Sequence, residues 1–180
     1  MARLVENSVG TVFVLDSRDR VVTSLGYFGA PGRSLATAYS ASPTAIASTT
    51  AQFLGLAAQA APASVITPQV TGNVYAVATG LCAVTTTDTF SVGLNYGSGT
   101  PPANAAATTG TVIDTKATVE ATTGQLKLPF VLAGLVTGLS LPGIGGVSAS
   151  GVAYWFDVTA LASGGSATCT NVTIVLVEVG

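Results

Sequence analysis

Nucleophilic and acid–base catalysis need side chains that exchange protons near neutral pH, and this chain has few. It contains no histidine, which excludes serine–histidine and cysteine–histidine nucleophilic sites. A serine–lysine pair would have to use Lys116 or Lys127. Both alternate onto the polar side of strand-like segments. A carboxylate pair with separated pKa values has two candidates. Asp16 and Asp19 flank DSRD, a turn sequence in which Asp serves local hydrogen bonding. Asp114 and Glu120 share one side of TVIDTKATVE with Lys116 between them, which reads as a solvated or intersubunit charge row. Cys82 and Cys169 are the two cysteines, too few for a metal site without histidine. In a reducing compartment they read as buried thiols, and a disulfide stays open to them if their strands are neighbours.

Other chemistry-bearing patterns fail the same test. GIGGVSASG has Ser148 where a dinucleotide fingerprint needs its third glycine, and GYFGAPG lacks the phosphate-loop lysine. Asn171-Val172-Thr173 matches a glycosylation acceptor but opens an apolar strand. Tyr154-Trp155-Phe156 suits core or interface packing, with a carbohydrate platform as its alternative. No catalytic, metal or cofactor-binding residue is expected, and the chain is read as a non-enzyme.

The elements that would have to position any site are strands. In TFSVGLNYG, Phe90, Val92, Leu94 and Tyr96 alternate with Thr89, Ser91, Gly93 and Asn95. In TVIDTKATVE, Ile113, Thr115, Ala117 and Val119 point one way, while Asp114, Lys116, Thr118 and Glu120 point the other. In VAYWFDV, Val152, Tyr154, Phe156 and Val158 share a side, with Asp157 opposite. Period two of this kind marks half-buried strands, apolar inward and polar outward. VTIVLVEVG is apolar on both sides, as a central or subunit-interface strand is.

The uncharged run LPFVLAGLVTGLSLPGIGGV at 128–147 is long enough for a membrane helix. Its five glycines cost about 5 kcal/mol and its interior proline about 3 in a helix. QLKLPF at its start alternates as a strand, so the run reads as a strand, a bend and a loop. Strands are expected near 64–70, 73–84, 89–97, 111–120, 125–139, 147–158 and 168–179. Their spacing points to an antiparallel β-sandwich, a jelly roll. The loop GSGTPPANAAATTG is expected at one end of it.

The first third reads differently. Residues 1–33 carry a small hairpin near 11–25 and four of the six basic residues, Arg3, Arg18, Arg20 and Arg33. Residues 34–62 read as a neutral linker or arm. Within them Thr49 and Gln52 form a capping box ahead of Pro62, which predicts a short helix. Residues 63–180 form the sandwich. Glu6 sits where a signal peptide needs its apolar core, so no leader is expected.

Composition sharpens the functional reading. The chain has 180 residues, is 48% hydrophobic and 8% charged, and carries a net charge of −2. An average soluble domain is about 25% charged. No basic field exists to attract nucleic acid. A surface so poor in charge implies burial against other subunits.

The progression TDTFSVGLNYG, ATTGTVIDT, QLKLPFVLAGLVTGLSLPGIGGVSASGVAYWFDV and ATCTNVTIVLVEVG, over roughly residues 70–180, resembles a plan found in tailed-bacteriophage structural proteins. Those modules are the jelly rolls of capsid decoration (cement) proteins and head fibres, often trimeric. They often place an arginine near the segment matching VLAGLVTGL, and none stands here.

The resemblance implies a homotrimer on the outside of a phage head, assembled in the host cytoplasm. The major capsid protein would be its partner, with no nucleic acid and no membrane involved. The alternatives are a receptor- or glycan-binding fibre module and a jelly-roll shell subunit. Arg3, Arg18, Arg20 and Arg33 are the expected capsid contacts, pairing with carboxylates on an acidic shell. Val175, Val177 and Val179 are the expected subunit interface.

Overall fold

In a computed structural model the described residues are 3–6, 11–15, 21–27, 35–84, 89–118, 127–141 and 151–180, with side-chain surroundings given from residue 35 onward and not for 117–118. The chain divides into two compact units, Met1–Pro31 and Gly32–Gly180. The first is an antiparallel three-stranded sheet of β1 (Arg3–Glu6), β2 (Thr11–Leu15) and β3 (Val21–Tyr27), in that order. The expected hairpin is its β2–β3 pair, and two register shifts interrupt that ladder.

The second unit is an antiparallel β-sandwich with no helix among its described residues. Its strands are β4 (Leu35–Ser40), β5 (Gln52–Phe53), β6 (Val65–Ile66), β7 (Val74–Val84), β8 (Phe90–Ser98), β9 (Thr111–Thr118), β10 (Leu128–Val136), β11 (Tyr154–Ala162) and β12 (Ala167–Glu178). Sheet I has the order β10-β7-β12-β4. Sheet II has the order β5-β11-β8-β9, with β6 also on β11. The first strand pairs with the last, β5 and β6 with β11, β7 with β10, and β8 with β9. This nested pairing, shared between two sheets, is a jelly roll.

Period two supplies the core. Phe130, Leu132 and Val136 of β10 turn inward with Ile174 and Leu176 of β12, against Phe90, Val92 and Leu94 of β8 and Phe156 and Val158 of β11. The 128–147 run is therefore one strand up to Val136, and no helix among the described residues is long and apolar enough to cross a membrane. Gly80 makes room for the Phe130 ring, which a Cβ there would meet at 2.7 Å.

Residues 34–62 are not a linker or arm, because the compact body begins at Gly32 and this segment contributes β4 and β5. LATAYS pairs along its length with β12. The short helix expected from Thr49 to Pro62 does not form. Phe53, Leu54, Leu56 and Ala57 are all buried, but in irregular chain around the two-residue β5. Their backbone groups are satisfied across the fold instead: Phe53 N–H donates to Ala106 O at 3.0 Å and Leu54 N–H to Val158 O at 2.8 Å. Gly55, at φ +79°, takes a left-handed turn that breaks any helix.

The carboxylate of Glu178, 2% exposed, closes the corner beside β7. It accepts N–H bonds from Gln69 (2.9 Å), Val70 (2.6 Å) and Thr71 (2.7 Å). Removing the acceptor leaves several part-buried donors without it at once. Glu178→Ala is expected to lower the unfolding free energy by about 2–4 kcal/mol, read from urea denaturation, with faster hydrogen exchange at residues 69–71. Unchanged exchange there would show that the carboxylate does not hold this corner.

Candidate functional site

The two outer faces of the sandwich are built differently. On sheet II the outer side of β11 is covered by the chain itself, while Val112 and Thr115 of β9 stay exposed. Trp155, Asp157 and Thr159 of β11 point outward yet are 3%, 0% and 5% exposed, with Phe53, Ala57, Val65 and Ala106 packed on Trp155 and backbone of residues 55–57 meeting Asp157. Phe53 meets Trp155 edge-on, with ring centroids 5.5 Å apart, and the indole N–H donates to Ser98 O at 3.2 Å. Ala105 N–H donates to Phe53 O at 2.9 Å, and the Asn104 amide donates to Leu54 O at 3.1 Å. The GSGTPPANAAATTG loop thus helps form the lid of sheet II.

Asp157 anchors this lid. It accepts N–H bonds from Ala57 at 3.1 Å and Val158 at 2.7 Å. Burial pushes its pKa up to about 7, against the opposing pull of these and neighbouring backbone N–H groups. Alternation placed Asp157 on the polar, outward side, and it is outward; the cover comes from residues about a hundred positions away.

Among the described residues of the second unit, none covers the outer face of sheet I in this way. Its register aligns Leu135, Tyr75, Val177 and Leu35 across the four strands in one row. The next rows are Ala133, Val77, Val175, Thr37 and Val131, Thr79, Thr173, Tyr39. No charged residue stands in any of them. Leu35 is 66% exposed, Val131 55%, Leu135 54%, Tyr39 52% and Tyr75 42%. With strands about 4.8 Å apart and alternate residues about 6.8 Å apart, these rows cover roughly 15 by 15–20 Å. That is about the size of the largest apolar patch on an ordinary monomer.

Beside this face, β9 and β10 bound a groove of about 320 Å³ lined by Tyr96, Val112, Ile113 and Leu135. A register shift opposite Leu94/Asn95 leaves Ile113 unpaired. It alters the alternation read in TVIDTKATVE. Ile113 packs on Gly134, and the Asp114 carboxylate accepts the Ala133 N–H at 3.1 Å. Asp114 therefore ties β9 to β10 rather than joining a solvated charge row.

The expected interface residues Val175 and Val177 lie at the centre of the bare face. Val179 sits one residue past β12, its backbone tied to Asn73 and Thr71. Of the expected capsid contacts, Arg3 lies in β1, with no side-chain surroundings described. Arg18, Arg20 and Arg33 fall outside the described residues, as do Asp16, Asp19 and Glu120. Lys116 and Lys127 are exposed. The Tyr154-Trp155-Phe156 cluster forms no platform. Phe156 is buried on the inner side, stacked on Tyr96 at 5.6 Å, and Trp155 lies under the lid.

Leu35, Tyr39, Tyr75, Val131 and Leu135 were not singled out from sequence. Leu35, Thr37 and Tyr39 do alternate with Ala36 and Ala38, but flanking Gly, Pro and Ser masked that signal.

No family model matches the chain, and no curated protein matches it significantly. A solved structure that it is similar to is the Eiger TNF from S. frugiperda, at 11% identity and a TM-score of 0.40, over 82% of this chain and 94% of that one.

Asp157 makes stability fall with rising pH. Its folded pKa of about 7 stands above the ordinary carboxyl value of 3.8, so its contribution is fully present below about pH 4 and is lost as pH rises through about 7. Between pH 5 and pH 8 the wild-type chain should lose on the order of 2–3 kcal/mol relative to Asp157→Asn, measured as the difference in urea unfolding free energy. Parallel pH profiles for the two proteins would rule this out.

Proposed function

We propose that this chain is a structural protein that works by assembling with copies of itself through the outer face of sheet I, as a decoration (cement) protein on the exterior of a phage capsid. One observation carries the self-assembly: among the described residues, the sandwich covers β11 of sheet II with its own chain and leaves three rows of sheet I mostly apolar, open and free of charge. Holding apolar area in water forgoes about 25 cal/mol per Å². A second copy offers a surface of the same character, and the central rows have the large apolar side chains of an interface core.

Val175 and Val177 sit on the outer side of β12 near its C-terminal end, flanked on either side by Tyr75, Val77, Leu35 and Thr37. Their pairing with a neighbouring copy would bury both sides of β12. Three copies related by a three-fold axis are the assembly that the sequence resemblance implies. The N-terminal unit, with its share of the arginines, is the part proposed to meet the shell. Repeated weak contacts, multiplied by symmetry, then bridge capsomers without any reaction being catalysed.

The test is hydrodynamic and then functional. Sedimentation at micromolar concentration should give a trimer, three times 17.7 kDa or about 53 kDa. Val177→Lys places an unpaired charge in the seam and should weaken association by at least about 100-fold while leaving the β circular dichroism intact. The wild-type protein should add saturably to capsids that lack it and raise the temperature at which they open. A wild-type monomer at these concentrations would overturn the self-assembly. A trimer that ignores capsids but binds cells or glycans would replace the decoration role with the fibre role.

A further inference from the structure

We propose that Cys82 and Cys169 are a disulfide-forming pair, which a small-molecule disulfide oxidant closes across the two central strands of sheet I. The two residues are direct partners in the β7–β12 register. Their sulfurs lie 3.1 Å apart as free thiols, against about 2.05 Å in a disulfide. Bond formation therefore needs about an ångström of side-chain movement and no change of register.

A backbone feature keeps the pair aimed together. The register of β12 on β7 shifts between Thr170 and Thr173, where Asn171 takes φ +51°. This bulge resets the alternation, so Cys169 and Val172, three residues apart, both face inward and are buried. Strict alternation across the same stretch would turn one of them to the outer face. Two small core residues could fill this volume without sulfur, but cross-strand opposition of the chain's only two cysteines is the placement that disulfide geometry requires.

The reaction is thiol–disulfide exchange. The thiolate of one cysteine attacks a sulfur of the oxidant, breaks its S–S bond, releases one small thiol and forms a mixed disulfide. The second cysteine loses its proton to water and attacks the protein-side sulfur, which releases the second small thiol. Two protein thiols are oxidised and one small disulfide is reduced to two thiols. In the finished fold both sulfurs are shielded, at 0% and 1% exposure. The hydrogen bond to Cys82, and then burial, also raise the Cys169 pKa and hold it as thiol. Closure therefore belongs to the folding chain, before β7 and β12 seal, and the closed bond is then protected from reductants. This pairing stands apart from the assembly reading, since it concerns a single chain.

The experiment is refolding from urea, with either reduced or oxidised glutathione. Under oxidising conditions the folded product should be about 2 Da lighter and show no thiol that a maleimide can label in denaturant. Its melting temperature should be roughly 5–15 °C above that of the reduced form. Cys82→Ala should abolish the gain. Folded product that keeps two labelled thiols, or that carries glutathione adducts, would overturn the proposal. If refolding yields no folded protein, the same mass and thiol count on protein produced in an oxidising compartment decides between the two outcomes.

Discussion

Asp157 and Glu178 lie out of water in a chain that carries only eight acidic residues. Each accepts hydrogen bonds from the backbone of a segment far away in sequence, and Asp157 also from its neighbour Val158. Burying a carboxylate is costly unless donors meet it, and coil segments packed on a sheet carry N–H groups that need acceptors. Each requirement answers the other. Asp157 fixes residues 55–57 over sheet II, and Glu178 fixes residues 69–72 at the entry to β7. These two attachments let irregular chain lie against the sandwich where helix or strand would normally satisfy the backbone.

The lid they secure makes the sandwich unequal. The outer side of β11 in sheet II is covered by the protein's own chain, with Trp155 packed against Phe53 and Ala57. Sheet I shows water three rows of Leu, Val, Tyr, Thr and Ala. A jelly roll needs only its inner faces apolar to fold. The apolar outer rows of sheet I therefore add nothing to the core, and they account for part of the chain's low charge and high hydrophobicity. Beyond β7, Leu135 of β10 links this face to the groove at the β9–β10 edge.

The same alternation that builds the core also builds this surface. In β10, Phe130 and Leu132 enter the core while Val131 and Leu135 face out. In β12, Ile174 and Leu176 go in while Val175 and Val177 go out. A strand that is apolar on both sides in a two-layer sandwich has one side left over, and that leftover side is what the assembly reading uses.

Much of this was legible in the chain. Period two in TFSVGLNYG, VAYWFDV and VTIVLVEVG set strands within a few residues of their observed bounds, and their turn-separated spacing set the sandwich, because alternation is a local property of extended backbone. The doubly apolar β12 likewise marked the outer face before any neighbour was known. Tertiary structure decided the rest. LATAYS is a strand only because β12 lies beside it. The Thr49–Pro62 segment is a lid and not a helix because Asp157, Val158 and Ala106 take its backbone hydrogen bonds. Asp114 ties two strands because a bulge shifts its phase. Cys82 meets Cys169 only through the β7–β12 register. Each outcome is fixed by partners dozens of residues away, and local periodicity carries no information about which distant strand will be adjacent.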